Sequence, residues 1–345
     1  MKKHVTPIVA AALLAATPAL AEGKLTVTTY GGSYTESQRE AYYKPFESEM
    51  GIPVQEEVAS EVWPTVKAQI DAGNVTWDVV TGETSTIILG CDTGLLEPID
   101  WSLIDQTKLI PDAIQECGVG TIVQSSVMAY DADKITGDAP TTAADFFDLT
   151  KYPGKRAMRK SPATTLEFAL IGDGVAKEDV YQVLSTPEGL DRAFAKLDSI
   201  KDQVIWWEAS SQPMQLLSDG EVAMTTSWSG RVTTANRMDG KNFEIIWDGQ
   251  NYDVDFFAVI RGAPHKDDAM KFIAFATDPK RQAKQMEYIS YGPTHVDAGA
   301  MLPEGLAEQL PNYPDNLAKG IKNDSAFWAD NLDTLQARFQ AWLTQ

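Results

Sequence analysis

The spacing of apolar residues divides the chain into short strands and amphipathic helices. From Lys24 to Thr29 apolar and polar positions alternate, the period of a half-buried strand. Gly31-Gly32-Ser33 interrupts that run, and Tyr34 to Met50 carries a helical period. Gly51-Ile52-Pro53-Val54 opens a second strand, Val62 to Ala72 is helical and stops at Gly73-Asn74, and Trp77 to Thr81 reads as a buried strand. Ala223 to Trp228 and Phe256 to Ile260 read as two more strands. Near the end, Phe272, Ile273, Phe275 and Ala276 form an apolar stripe at spacings of three and four. Asp278-Pro279 stops that helix and starts another, because proline is tolerated in a first turn. Strands alternating with helices predict an α/β fold with a largely parallel sheet, whose ligand groups lie just past the strands' carboxyl ends.

The first residues read as a secretory signal. Lys2 and Lys3 precede an apolar run, Ile8 to Ala16, too short to span a bilayer, and Ala19-Leu20-Ala21 fits a small-residue cleavage site. The expected domain 1–21 is therefore a signal peptide, with no cysteine after it to carry a lipid. No later apolar run approaches the length of a membrane-spanning helix, so the expected place of work is the periplasm. A mature chain of about 324 residues exceeds one comfortable core and predicts two lobes. It carries 27 basic against 49 acidic side chains, a net charge of −22. That charge argues against nucleic acid and anionic membranes as partners. Cys91 and Cys117, exported together, predict a disulfide over two separate thiols; it would close a loop of about 26 residues, worth roughly 3 kcal/mol.

Motifs for catalysis are few. The three histidines are His4, His265 and His295, and neither a helical zinc motif, a nucleophile elbow nor a phosphate-binding loop occurs. No catalytic residue, metal or cofactor is predicted, although a hydrolase working through two carboxylates stays open. Aromatic and charged residues collect instead at predicted strand ends and turns. These are Trp206-Trp207-Glu208, Trp228-Ser229-Gly230-Arg231, Tyr252-Asp253-Val254-Asp255, and Tyr288 to Thr294. Aromatic faces hold an ammonium group by cation–π attraction, and a buried carboxylate adds charge-assisted hydrogen bonds. Arginine suits a planar grip on a carboxylate.

Several words in order along the chain resemble the periplasmic spermidine/putrescine-binding proteins of ABC importers and their relatives that bind γ-aminobutyrate. They are Tyr30-Gly31-Gly32-Ser33-Tyr34, Trp63-Pro64 through Asn74, Trp77-Asp78-Val79-Val80, Gly94 to Pro98, Tyr130 to Lys134, Tyr152-Pro153-Gly154-Lys155, Trp228-Ser229-Gly230, and the run 265–283. The resemblance implies a two-lobe periplasmic-binding-protein fold with two interlobe crossings and a ligand cleft between the lobes. Lobe one would hold 22–126 and 256–300, lobe two 127–255 and 301–345, with crossings near Ser125–Val127 and Asp255–Phe257. It also implies an inner-membrane ABC permease as partner and a monomer that closes by hinge motion.

By the same resemblance Trp228 and Tyr291 wall an amine pocket and Asp255 pairs with an amino group. Tyr34 and the loop with Thr84 and Ser85 fall near lobe-one contact positions; Trp207 joins the expected site from its own place at a strand end, not from the resemblance. Two departures bear on the ligand. Ala163 and Leu166 fall where polyamine binders carry acids, although a one-residue slip brings in Glu167. Arg231 introduces a positive charge that opposes a second ammonium. The expected ligand is a small amine or amino acid: first a short ω-amino acid such as γ-aminobutyrate, then a polyamine, then a betaine. Arg231 and Asp255 grip its two ends, or pair with each other. A ferric-ion binder, relying on paired tyrosines such as Tyr42-Tyr43 or Tyr288 and Tyr291, is a further alternative.

Overall fold

The computed structural model describes residues 23–59 and 62–345; the expected signal and its cleavage site lie outside them. One mixed sheet runs through the molecule. Its main strands are β1 (Leu25–Thr29), β2 (Val54–Val58), β3 (Val79–Glu83), β4 (Gly118–Asp131), β5 (Arg156–Arg159), β6 (Val204–Trp207), β7 (Met224–Trp228) and β8 (Phe243–Val259). Their spatial order is β2-β1-β3-β8-β4-β7-β5-β6. The outer strands pair in parallel, β1 with β2 and β3, and β5 with β6 and β7. Around the centre the pairing is antiparallel, so the largely parallel expectation holds only for the flanks.

The cause is the length of β4 and β8, each of which serves both flanks. The end of β8 pairs with β3, from Val79↔Val259 to Glu83↔Asp255, while the second half of β4 pairs with β7, from Ser126↔Trp228 to Tyr130↔Met224. Between themselves they keep register from Ile122↔Asp255 to Ser126↔Asn251, then resume at Met128↔Ile246. Trp247 to Gln250 thus face Val127 as extra length on β8, with Gly249 at φ 74° in the left-handed region that glycine tolerates. The Phe256–Ile260 expectation caught only the tail of β8. Polar residues from Asp248 to Asp255 broke the apolar pattern, although they belong to the strand.

Each flank has its own core. One gathers Leu25, Val27, Tyr42, Phe46, Val79, Phe257, Phe272 and Ile273. Here the helix Lys266–Ala276 buries the predicted stripe, and Asp278 caps the helix Pro279–Tyr288 by accepting from the Lys280 and Arg281 amides. The other gathers Phe146, Phe168, Leu170, Phe194 and, from the C-terminal helix Ser325–Leu343, Phe339 and Trp342. Further apolar clusters lie on the other faces of the sheet, and the flanks are joined by β4, by β8 and by the segment that leads from the helix Pro279–Tyr288 to the C-terminal helix, which gives the α/β two-lobe architecture. Cys91 and Cys117 are bonded, tying the helix Thr84–Asp92 to the start of β4. Among the described residues no helix is long and apolar enough to cross a membrane.

Candidate ligand-binding site

A cavity of about 350 Å³ opens between the flanks, at the carboxyl ends of β1, β3, β5 and β7. Tyr30, Tyr34, Glu83, Gln124, Asp255 and Tyr291 form one side of it, Arg159, Glu208, Trp228 and Arg231 the other. Tyr34, Trp228, Arg231, Asp255 and Tyr291 were all expected there. The first side is aromatic and acidic. The rings of Tyr30 and Tyr34 stack at 6.0 Å, and Tyr34 meets Tyr291 edge-on at 6.2 Å. Asp255, Glu83 and Asp253 lie close together on the sheet, because β8 alternates and Asp255 pairs with Glu83.

Burial, then Glu83 and Asp253, holds the Asp255 carboxyl well above the usual carboxylate range. Burial and then Glu83 likewise push Asp253 up to about 6, against hydrogen bonds from Thr84, Val254 and Asn323. Among the described residues the Asp255 carboxylate has no hydrogen-bonding or ion-pairing partner, and the Tyr34 hydroxyl and Gln124 Oε1 are buried without partners. A desolvated carboxylate and orphaned polar atoms facing a cavity are the chemistry of a site that a ligand completes.

The opposite side is cationic. Trp228 ends β7, and Arg231 follows on the first turn of the helix Ser229–Asp239. The guanidinium of Arg231 lies 5.8 Å from the Trp228 ring centre and that of Arg159 lies 5.2 Å from it. Arg231 reaches across the cleft: a methyl group on Gly32 would stand 3.5 Å from its Nη1. No ion pair joins Arg231 to Asp255, so the alternative in which they neutralise each other is not the arrangement seen among the described residues. Gly230 allows the helix start to sit against lobe one, since a Cβ there would come within 2.7 Å of Ile289 and 2.8 Å of Tyr291.

The remaining expected residues lie nearby but off the cavity lining. Trp207 is buried and supports Trp228 at 5.3 Å between ring centres, whereas Trp206, one residue away in the alternating strand, packs on Phe339 and Trp342. Thr84 donates to Asp253 Oδ1 at 2.6 Å, and Ser85 lines a smaller adjoining cavity of about 100 Å³. Ala163 also borders that smaller cavity, and Leu166 is in the core. Glu167 is fully buried, and its Oε1 accepts from Trp328 Nε1, Tyr181 and Asn251, with burial raising its carboxyl to about 7. The hydroxyls of Tyr42 and Tyr43 are spent on Gln285 and Gln38, which leaves no paired-tyrosine metal site there. Sequence reasoning missed Tyr30, Gln124 and Arg159; the basic run Lys155-Arg156 and Arg159-Lys160 after Tyr152-Pro153-Gly154 was the signal for Arg159.

A profile described as bacterial extracellular solute-binding protein matches residues 41–316. The chain is 44% identical over 319 residues to the gamma-aminobutyric acid-binding protein of Pseudomonas aeruginosa, covering 92% of this chain and 90% of that one. It is 22% identical to the spermidine/putrescine-binding periplasmic protein of Escherichia coli, over 99% of this chain and 98% of that one. A solved GABA receptor superposes with a TM-score of 0.82 at 34% identity, over 93% of this chain and 97% of the other.

Proposed function

The chain belongs to the family of bacterial extracellular solute-binding proteins, and from that premise we propose that it captures γ-aminobutyrate or a similar short ω-amino acid. The observation that carries this reading is the separation of unpaired charges across one cleft. A buried carboxylate, Asp255, stands among three tyrosines on one side, and the Arg231 guanidinium stands over Trp228 on the other. The ligand's ammonium sits on Asp255 among the rings of Tyr30, Tyr34 and Tyr291, and its carboxylate on Arg231. Trp207, Thr84 and Ser85 hold these groups in place from behind. Each end of a zwitterion then neutralises a charge that closure would otherwise leave buried and unpaired, at a cost of several kcal/mol.

Lobe one (22–126 and 256–300) and lobe two (127–255 and 301–345) close on the ligand by bending where β4 and β8 lose register near Val127 and Trp247–Gln250, which moves the stretch 251–255, with Asp253 and Asp255, onto lobe one's side of the expected boundary. The closed form is handed, in the periplasm, to an inner-membrane ABC permease. The protein acts as a monomeric carrier and not as an enzyme, in keeping with the binding proteins it resembles. One observation favours a polyamine instead: the three neighbouring carboxylates Glu83, Asp253 and Asp255. The two guanidiniums opposite oppose a second ammonium.

A thermal-shift screen of the mature protein decides between them, with γ-aminobutyrate, longer ω-amino acids, putrescine, spermidine and glycine betaine. Ligand at about 100 times Kd stabilises by roughly 2.7 kcal/mol. Stabilisation by γ-aminobutyrate that Arg231→Ala abolishes supports the zwitterion. Stabilisation by diamines alone refutes it.

A further inference from the structure

Arg156 and Arg159 begin and end the same short strand, yet their guanidiniums are used differently. Arg156 is fully buried and donates to the carbonyls of Phe146, Gly154, Asp148 and Tyr152, which ties a turn to the strand. Arg159 is half-buried at the strand's carboxyl end, and its guanidinium has no acceptor among the described residues. Lys160, the next residue, pairs with Glu208 at 2.7 Å, so the nearby rim acid is already taken. Arg159 therefore faces the cavity with its donors unfilled, and it also lines the adjoining smaller one. Arg231 shares the same indole. Two like charges converging on one ring, with no carboxylate between them, call for an anion to sit where both can reach.

Building on the ω-amino acid reading, we infer that Arg159 is a second anchor for the ligand's carboxylate and a determinant of selectivity for acids over amines. A carboxylate has about four lone-pair sites, so one guanidinium can grip it in bidentate fashion while the other takes a remaining site. Arg231 comes from a helix start that touches lobe one, and Arg159 comes from a strand end within lobe two. Both guanidiniums belong to lobe two and meet at the same indole, so they hold the carboxylate together before closure, and closure brings the tyrosines and Asp255 of the facing side onto the ammonium. The Trp228 ring centre lies 5.2 Å from one guanidinium and 5.8 Å from the other, which keeps both at the same end of the cavity.

The test compares γ-aminobutyrate with 4-aminobutanamide, which keeps the ammonium and the shape but loses the negative charge. Titration calorimetry is run on the wild type, Arg159→Gln, Arg159→Lys and Arg231→Gln, with ligand-free thermal midpoints as a check on folding. The expected result is that Arg159→Gln weakens γ-aminobutyrate by roughly tenfold or more, the worth of a charged hydrogen bond. It leaves the amide little changed, and Arg159→Lys recovers most of the acid-over-amide preference. Equal weakening of both ligands means that Arg159 only stacks on Trp228, and overturns the inference. So does γ-aminobutyrate binding that Arg159→Gln leaves intact. A wild type that binds no ω-amino acid removes the underlying reading, and this inference with it.

Discussion

Replacing Asp255 by Asn separates what the acid costs the empty protein from what it gives the ligand. The side chain keeps its size and loses its charge. In the ligand-free protein the Asp255 carboxyl is raised by burial and by Glu83 and Asp253. The folded state therefore holds a proton that the unfolded state has released. Stability from this group is lost as pH rises from the ordinary aspartate value through the folded one, and stays lost above it. Asp253 gives the scale: a carboxyl moved from 3.8 to about 6 costs roughly 3 kcal/mol once ionised. Asp255→Asn should thus raise the ligand-free midpoint by several degrees at pH 8, with the advantage vanishing near pH 4. Binding goes the other way. An ammonium about 4 Å from a carboxylate is held by roughly 4 kcal/mol at an effective dielectric constant of 20. Losing even 2 kcal/mol of that weakens Kd about thirtyfold. Thermal unfolding of ligand-stripped protein at both pH values, with calorimetric titration of γ-aminobutyrate, measures both effects. An Asn variant that binds γ-aminobutyrate like the wild type refutes the assignment of the ammonium to Asp255. One that is less stable than the wild type at pH 8 refutes the account of an uncompensated buried acid.

Three further outcomes follow from the same structure. Ligand affinity should fall on acidification, because an ammonium needs ionised Asp255 while burial and Glu83 favour its protonated form; calorimetric titrations from pH 8 down to pH 5 should show Kd rising as the pH falls. Glu167→Gln keeps the acceptor used by Trp328 and removes an ionisation raised from 4.5 to about 7, so it should stabilise by up to roughly 3 kcal/mol at pH 8 and by nothing near pH 4 in urea unfolding. Gly230→Ala forces Ile289 and Tyr291 aside, which should cost about 1–3 kcal/mol of stability and weaken binding together, read from urea midpoints and titration.

Much of lobe one was legible because its strands and helices are local and regularly patterned. The helix stripe at Phe272 and Ile273, the start of the next helix at Asp278-Pro279 and the helix from Val62 lie where the pattern placed them. Long-range pairing was not legible. The polar residues of β8 that face the cleft, Asp253 and Asp255, also erased its strand signature, because they do not face a core. The same holds for the site. Trp228, Asp255 and Tyr291 stood out by residue type beside predicted strand ends. Arg159 did not, because a basic run reads as solvated surface and only tertiary structure separates it from Arg156. Adjacent tryptophans 206 and 207 point to opposite sides of one strand, and the register that decides which one reaches Trp228 is set by the pairing of β5 with β6.

The sharing of β4 and β8 also governs the order in which this chain can assemble. The first three strands are complete by residue 83, yet β3 finds its next neighbour only at residues 255–259, and β4, although the disulfide ties its start to the helix Thr84–Asp92, enters that flank's sheet only by pairing with β8. A growing chain that stops short of that point carries β1 to β3 with an open edge and half a core. Such contacts close late and slowly, because the entropy of a long loop must be overcome before they form. Neither flank is a unit that could be cut out and expressed alone, and C-terminal truncations that remove residues 243–259 disable both at once. The two strands proposed as the hinge are therefore also the pieces that both flanks of the sheet need before they can close, ahead of the helices Lys266–Ala276 and Ser325–Leu343 that complete the two cores.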